Sequence, residues 1–190
     1  TDTKEAVEVR LSEIEPNRDQ PRKHFDETAL AELSESIKRH GLIQPLLVRP
    51  LTGGGYQIVA GERRWRASRM AGLSSVPVVI RELSDKETME IALIENLQRE
   101  DLNPVEEAKG YKQLMDTYGF TQEQGAVSVN KSRPAVANSL RLLNLNESEL
   151  EALEKGEISG GHARALLSIE DKEQRSIALN MSRNGCSVRE

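Results

Sequence analysis

The fold is decided by residues 56–69, YQIVAGERRWRASR, in which an apolar run changes to a charged run at Gly61. The apolar run predicts a short strand, and the residues after Gly61 predict a helix that ends near Gly72. A helix that starts directly after a strand and a glycine presents unpaired backbone amides to an anion. Within a cluster of four arginines, Arg63 and Arg64 add forked donors that suit phosphate oxygens. An ordinary surface helix, with Glu62 and the arginines in salt bridges, explains the stretch equally well.

The sequence around this stretch predicts a mixed α/β half that ends near residue 100. Further strands are predicted at residues 7–11, 46–49 and 76–81. Asp26 caps a helix that Gly41 ends, and Ser84 with Glu87 forms a capping box for another helix. Trp65 is expected to pack its helix onto the sheet.

From about residue 101 onward the strands stop, and every predicted element is a helix. Helix starts are marked by the capping residues Asn103, Thr121, Ser132, Asn146, Ser159 and Asp171. We therefore predict an α+β protein with two domains, residues 1–100 and 101–190.

Residues 121–143, TQEQGAVSVNKSRPAVANSLRLL, have the layout of a helix-turn-helix. A short helix leads into a turn at Asn130, which tolerates the left-handed conformation, and a second helix follows. Val136, Leu140 and Leu143 are predicted to form its buried face. Polar and small side chains near its exposed start suit a helix that enters the major groove, beside phosphate contacts. These candidates are Lys131, Ser132, Arg133, Ala137, Asn138 and Arg141. A helical hairpin with a solvated polar face is the alternative.

Residues 159–167, SGGHARALL, are a second candidate DNA contact. Backbone amides at this helix start around Gly161, together with His162 and Arg164, could hold a phosphate. A histidine at a helix start more often serves as a cap, so this pattern alone is weak.

Two polar segments of the first half are candidate parts of a nucleotide site, although each is a weak signal when taken alone. Glu95 and Asn96 offer hard oxygen ligands for a magnesium ion that holds a polyphosphate. Residues 43–50, IQPLLVRP, combine Gln44 and Arg49 with a strand that could line a base pocket. The phosphate-loop pattern GxxxxGK[ST] is absent from the sequence.

Composition narrows the class of protein. Charged residues make up 30% of the 190 residues and aromatic residues only 3%, which is typical of a helix-rich protein with an aliphatic core. Cys186 is the only cysteine, so the chain holds no internal disulfide and no CxxC metal site. No apolar run is long enough to span a bilayer, and no signal peptide opens the chain, so we expect a cytoplasmic protein without a membrane partner. The start without methionine and the end at SVRE indicate a fragment.

Six stretches, taken in order, resemble the ParB family of bacterial chromosome-partition proteins. They are DQPRKHFD, GLIQPLLVRP, VAGERRWRA, IENLQREDLNPVEEA, KSRPAVANSLRLL and GHARALL. The resemblance covers almost the whole chain. It implies a small ParB/sulfiredoxin-like α/β domain followed by a helix-turn-helix domain, in a chain that lacks the family's amino-terminal ParA-binding tail and carboxy-terminal dimerisation domain.

The resemblance also implies a function, that of a CTP-dependent sliding DNA clamp. Such a protein binds parS, a centromere-like DNA site, dimerises with a second copy when it binds CTP and Mg²⁺, and reopens through slow CTP hydrolysis. It is associated with the nucleoid. Its further implied partners, through the full-length protein, are a ParA-type ATPase and the SMC condensin.

Site residues follow from the resemblance position by position. Those matched to CTP contacts are Gln44, Leu46, Arg49, Gly61, Glu62, Arg63, Arg64, Glu95, Asn96 and Arg99. Glu95 and Asn96 would ligate Mg²⁺, and Gln20 and Glu62 match positions linked to hydrolysis. The chain departs from the family at Gly125, Val127 and Asn130, where an aliphatic residue, a polar residue and a glycine are usual.

Three other functions compete with this assignment. A simple helix-turn-helix repressor leaves the GERR and ENLQR segments unexplained. The nucleoid-occlusion paralogue shares both halves, but it tends to carry an arginine where this chain has Gly161. Sulfiredoxin shares the fold of the mixed half but uses a reactive cysteine where GERR stands, whereas Cys186 lies far along this chain.

Overall fold

The computed structural model describes residues 5–19 and 24–190, and the chain forms two compact units, Thr1–Asn96 and Leu97–Glu190. The described part of the first unit combines strands with helices, and that of the second is helical apart from its turns. The α+β fold prediction is therefore confirmed. Among the described residues, every helix is too short or too polar to cross a membrane.

A five-stranded mixed sheet forms the centre of the first unit. Its strands are β1 (Val7–Arg10), β2 (Ile14–Glu15), β3 (Leu46–Pro50), β4 (Tyr56–Ala60) and β5 (Ser75–Ile80), in the spatial order β1-β5-β3-β4-β2. The pairs β1–β5 and β3–β4 are antiparallel, whereas β3–β5 and β2–β4 are parallel. Strand β2 was not predicted, because two residues are too few to show an alternating pattern. The strand predicted at residues 7–11 ends at Arg10, where Leu11–Glu13 form a 3₁₀ turn.

The helices of the first unit are α1 (Glu27–His40), α2 (Glu62–Met70) and α3 (Asp85–Leu97). As predicted, the Asp26 carboxylate caps α1 by accepting from the amide of Thr28 at 2.9 Å. Alternation along β3 buries Leu46 and Val48 completely. The ring of Trp65, on α2, belongs to the same core and is 5% exposed, so it packs α2 onto the sheet as expected.

The second unit contains α4 (Pro104–Asp116), α5 (Gln122–Ser128), α6 (Arg133–Arg141), α7 (Glu147–Glu154), α8 (Gly160–Leu167) and α9 (Lys172–Arg183). All six predicted capping residues accept a hydrogen bond from the first turn of their helix. Its core is aliphatic, with Val105, Leu153 and Leu166 each no more than 2% exposed. Local capping bonds thus mark the start of each of these helices.

The buried face of α6 matches the prediction at Val136 but not at the two predicted leucines. Val136 is fully buried, but Leu140 and Leu143 are only half-buried, and Leu142 is 4% exposed instead. The reason is that α6 ends at Arg141 and continues as a 3₁₀ turn, Leu142–Asn144. With three residues per turn rather than 3.6, the inward position moves back from Leu143 to Leu142.

Candidate functional site

The junction between β4 and α2 is open to an anion. Gly61 is the residue before α2 and has a φ of 101°, and no side chain caps the helix there. A Cβ atom at this position would lie 2.8 Å from Leu46 Cδ2 and 2.9 Å from Arg64 Nη2, so only glycine fits. Because no side chain accepts from the first amides of α2, these donors are available to a bound anion.

A cavity of about 370 Å³ lies against this junction. It is lined by Phe25, Leu33, Glu95 and the four residues 61–64. Its size falls within the range of small-molecule sites. Phe25 and Leu33 were not predicted as site residues, and their apolar side chains give no chemical signal that sequence reasoning could use.

Two of the four arginines differ sharply in how much of their hydrogen bonding is already used. Arg64 donates from Nη1 to the backbone carbonyls of Gln44 and Pro45, at 2.8 Å each. Burial lowers the pKa of the Arg64 guanidinium, and the nearby charge of Glu95 acts in the opposite direction. Arg63 is exposed at the cavity wall, and no described residue forms an ion pair or hydrogen bond with its side chain. Arg63 is therefore a cation of the cavity whose donors remain available.

The other two arginines stack on aromatic rings. The Arg66 guanidinium lies 4.2 Å from the centroid of the Phe25 ring and donates to the Glu62 carboxylate at 3.0 Å. The Arg69 guanidinium lies 4.8 Å from the centroid of the Trp65 ring. The salt-bridge explanation of the charged stretch thus holds for Arg66, which pairs with Glu62.

The remaining described residues that were predicted to contact the nucleotide do not line this cavity. Arg49 lies outside the cavity wall, with hydrogen bonds to Gln57 and Leu83 and an ion pair with Asp85 at 2.8 Å. Leu46 is in the core behind Gly61, and Gln44 contributes its carbonyl to Arg64. Asn96 is half-buried and outside the cavity wall. Arg99 belongs to the second unit, where it forms a bidentate pair with Asp101. Gln20 lies outside the described residues.

The helix-turn-helix is present in the second unit. Asn130 has a φ of 55°, as expected for its turn, and Ser132 caps α6 by accepting from the amide of Ala135 at 3.2 Å. The candidate DNA contacts Lys131, Ser132, Arg133, Asn138 and Arg141 are exposed, and Ala137 is half-buried. The start of α6 therefore offers a polar, cationic surface next to small side chains.

The start of α8 is organised by His162. Its Nδ1 accepts from the Ser159 amide at 3.1 Å, and its Nε2 lies 2.7 Å from the Cys186 carbonyl, to which it donates in that tautomer. Both ring nitrogens are thus used within the unit, and the imidazole acts as a cap. Arg164 is exposed and Gly161 is half-buried, so a phosphate contact at α8 would depend on these two residues.

The fold and these surfaces define a class of protein: a helix-turn-helix unit joined in one chain to a mixed α/β unit with a cationic cavity. Family models agree with both parts, since residues 1–97 match the ParB N-terminal domain and residues 100–190 match the ParB HTH domain. The chain belongs to the ParB family of chromosome-partitioning proteins.

Individual relatives are similar to this chain over most of its length. The chromosome-partitioning protein Spo0J of Thermus thermophilus is 55% identical over 97% of this chain and 68% of its own length. Curated relatives are matched over 59% to 68% of their lengths. The C-terminally truncated ParB of Caulobacter crescentus, complexed to the centromeric parS site, is 46% identical over 96% of this chain and 95% of its own, with a TM-score of 0.86. The same protein complexed with CTP-γ-S is 45% identical over 97% of this chain and 99% of its own, with a TM-score of 0.47.

Proposed function

We propose that residues 101–190 bind parS DNA through the helix-turn-helix, with α6 in the major groove. Support comes from the exposed cationic start of α6. It also comes from the Caulobacter relative, whose structure in complex with parS matches this chain with a TM-score of 0.86. Lys131 and Ser132 contact phosphates, and Arg133 and Asn138 face base edges. Ala137, Arg141 and the α8 residues Gly161 and Arg164 complete the surface, and His162 caps the start of α8.

Residues 1–100 bind CTP, as the family resemblance implies. The observation that carries this part is that Arg63, an exposed cation, lines the same cavity as Gly61 and Glu62 at the uncapped start of α2. Forked guanidinium donors and helix-start amides together suit a polyphosphate. Arg64, already bonded to two carbonyls, fixes the segment that precedes β3 and adds positive charge to the same wall.

Magnesium fits this cavity as a partner of the nucleotide. Glu95 contributes a carboxylate to the wall, and no cluster of three or more His, Cys, Asp or Glu side chains exists among the described residues. One or two protein oxygens, from Glu95 and Asn96, completed by phosphate oxygens and water, are what Mg²⁺ usually takes. Bound there, the ion would neutralise phosphate charge.

The clamp cycle follows from the same family resemblance. CTP binding promotes dimerisation with a second copy, and hydrolysis to CDP and phosphate, with Glu62 and Gln20 as the hydrolytic residues, reopens the clamp. Glu95 and Asn96 end the first unit and Leu97 begins the second, so the segment from Glu95 to Pro104 couples nucleotide to DNA. The ParA-type ATPase and the SMC condensin engage the full-length protein, and the site of action is the nucleoid in the cytoplasm.

A nucleotide titration tests the CTP assignment. Affinities for CTP, ATP, GTP and UTP are measured with Mg²⁺, with and without parS DNA, for the wild-type chain, Arg63→Ala and the control Arg69→Ala. Arg69 lies on the same helix but outside the cavity wall. We expect CTP preference, at least about tenfold weaker binding by Arg63→Ala from the loss of a charge-assisted hydrogen bond, and no change in the control. Equal affinity for ATP and CTP would refute the assignment.

A competing function, a helix-turn-helix repressor without nucleotide, accounts only for the second unit. The nucleoid-occlusion paralogue accounts for both units but reads a different DNA site. Binding to parS and to a scrambled duplex, measured at one salt concentration, separates these functions, because a partition protein prefers parS.

A further inference from the structure

Glu62 is held in the cavity wall by one of its two carboxylate oxygens. Its side chain is 5% exposed, and both Nη2 and Nε of Arg66 donate to Oε1, at 3.0 and 3.3 Å. No described residue donates to Oε2. Since Glu62 lines the cavity, Oε2 is left for a donor that enters it.

Arg66 is itself held by a second contact. Its guanidinium lies 4.2 Å from the centroid of the Phe25 ring, a distance at which a cation is attracted by the ring face. Phe25 lines the same cavity as Glu62. Ring, guanidinium and carboxylate therefore form a chain of three groups joined by two contacts, and both end groups line the cavity although Arg66 is not part of its wall.

We propose that Arg66, held by Phe25, is a positioning residue that presents Glu62 Oε2 to the water that attacks the terminal phosphate of the bound nucleotide. The water oxygen bonds to the terminal phosphorus while the bond from phosphorus to the bridging oxygen breaks. That oxygen leaves on CDP with the bonding electron pair, and the proton of the water passes to Oε2. This inference rests on the proposed function and assigns residues to its hydrolytic step.

A plain structural role for Arg66 would have a different consequence. As an i, i+4 ion pair on α2, the bond to Glu62 would only stabilise the helix slightly. Losing it would then leave the hydrolysis rate unchanged, or would weaken binding and rate together through a displaced helix. A positioning role affects turnover while nucleotide affinity stays the same.

The test compares variants of the whole chain with parS DNA, Mg²⁺ and saturating CTP, measuring both kcat and CTP affinity. We expect Arg66→Met to lower kcat at least about tenfold with CTP affinity within threefold of wild type. Phe25→Leu should lower kcat roughly two- to fivefold, and Phe25→Trp, which keeps a ring under the cation, should retain it. Arg69→Met is the matched control, since Arg69 also stacks on a ring of this unit but does not contact Glu62, and its kcat should equal that of wild type.

A double-mutant cycle shows whether Arg66 acts through Glu62. In a Glu62→Gln background, Arg66→Met should cause no further loss of kcat, because residues that act as a unit are not additive. An equal loss in both backgrounds, or equal losses for Arg66→Met and Arg69→Met, would overturn the inference. A wild-type chain that binds CTP without hydrolysing it would also overturn it while leaving the nucleotide site in place. A chain that binds no CTP would instead refute the proposed function.

Discussion

The glycines at positions 110 and 125 are predicted to respond in opposite directions to the same substitution. Both are buried inside helices of the second unit, Gly110 in α4 and Gly125 in α5. Glycine inside a helix is less favourable than alanine by about 1 kcal/mol. Helix propensity alone therefore predicts that Gly110→Ala and Gly125→Ala both raise the free energy of unfolding.

The space around each glycine decides whether the alanine substitution raises or lowers the free energy of unfolding. A Cβ atom at position 110 would lie 2.5 Å from Leu97 Cδ2, and Leu97 is itself only 5% exposed, so its side chain has little room to move. Such overpacking costs about 1–3 kcal/mol, which leaves Gly110→Ala with a net loss of up to about 2 kcal/mol. At position 125 the Cβ would meet only the Met115 terminal methyl, at 2.8 Å. Because a methionine chain adapts easily, Gly125→Ala should gain about 0.5–1 kcal/mol.

Urea unfolding followed by circular dichroism measures both effects, provided that the denaturant slope stays constant. Trp65, the only tryptophan, lies in the first unit and reports on that unit by fluorescence, which separates the two transitions. In a Leu97→Ala background the clashing carbons are gone, and Gly110→Ala should become stabilising. The steric argument is refuted if Gly110→Ala is as stable as Gly125→Ala, or if its sign does not reverse in that background.

Four further outcomes are expected. Arg64→Ala should abolish CTP binding and also destabilise the first unit by about 1–3 kcal/mol, because two carbonyls lose their donor; unchanged affinity in a titration would limit Arg64 to a structural role. Arg133→Ala should cost about 1–3 kcal/mol and relax discrimination at one base pair of each half-site, whereas equal weakening on random DNA would make it a phosphate contact. Glu95→Ala should lose CTP-dependent cross-linking between two chains while keeping parS binding, and normal cross-linking would exclude the proposed coupling. The pKa of Tyr111 is raised by burial, and also by its hydrogen bond to Glu107 and the charge of that carboxylate. The stability that this shift contributes is therefore complete below the tyrosine pKa of the unfolded chain, about 10, and is lost as the pH rises above that value. Tyr111→Phe should flatten this alkaline decline in a pH series of unfolding midpoints.

The candidate cavity was only partly foreseeable. Gly61, Arg63 and Glu95 were predicted and lie together in its wall, because a helix start after a strand is a local feature that spacing reveals. Arg49 was also matched to the nucleotide, yet its guanidinium is used by Asp85 and Gln57 outside that wall. The role of these residues in CTP binding stays a prediction.

The sequence alone determined where the helices of this protein begin. Asp26, Thr121 and Ser132 each accept a bond from an amide two or three residues later, so all the atoms that set the boundary lie within one turn. Asn130 likewise marks its turn through its own backbone conformation. Only the tertiary structure decided which distant groups Arg64 and Arg66 contact, whereas the contacts of Arg66 with Glu62 and of Arg69 with Trp65 lie within α2 itself. The Phe25 ring under Arg66 and the carbonyl of Gln44 at Arg64 come within reach only when separate elements pack together, and no local pattern encodes those pairings.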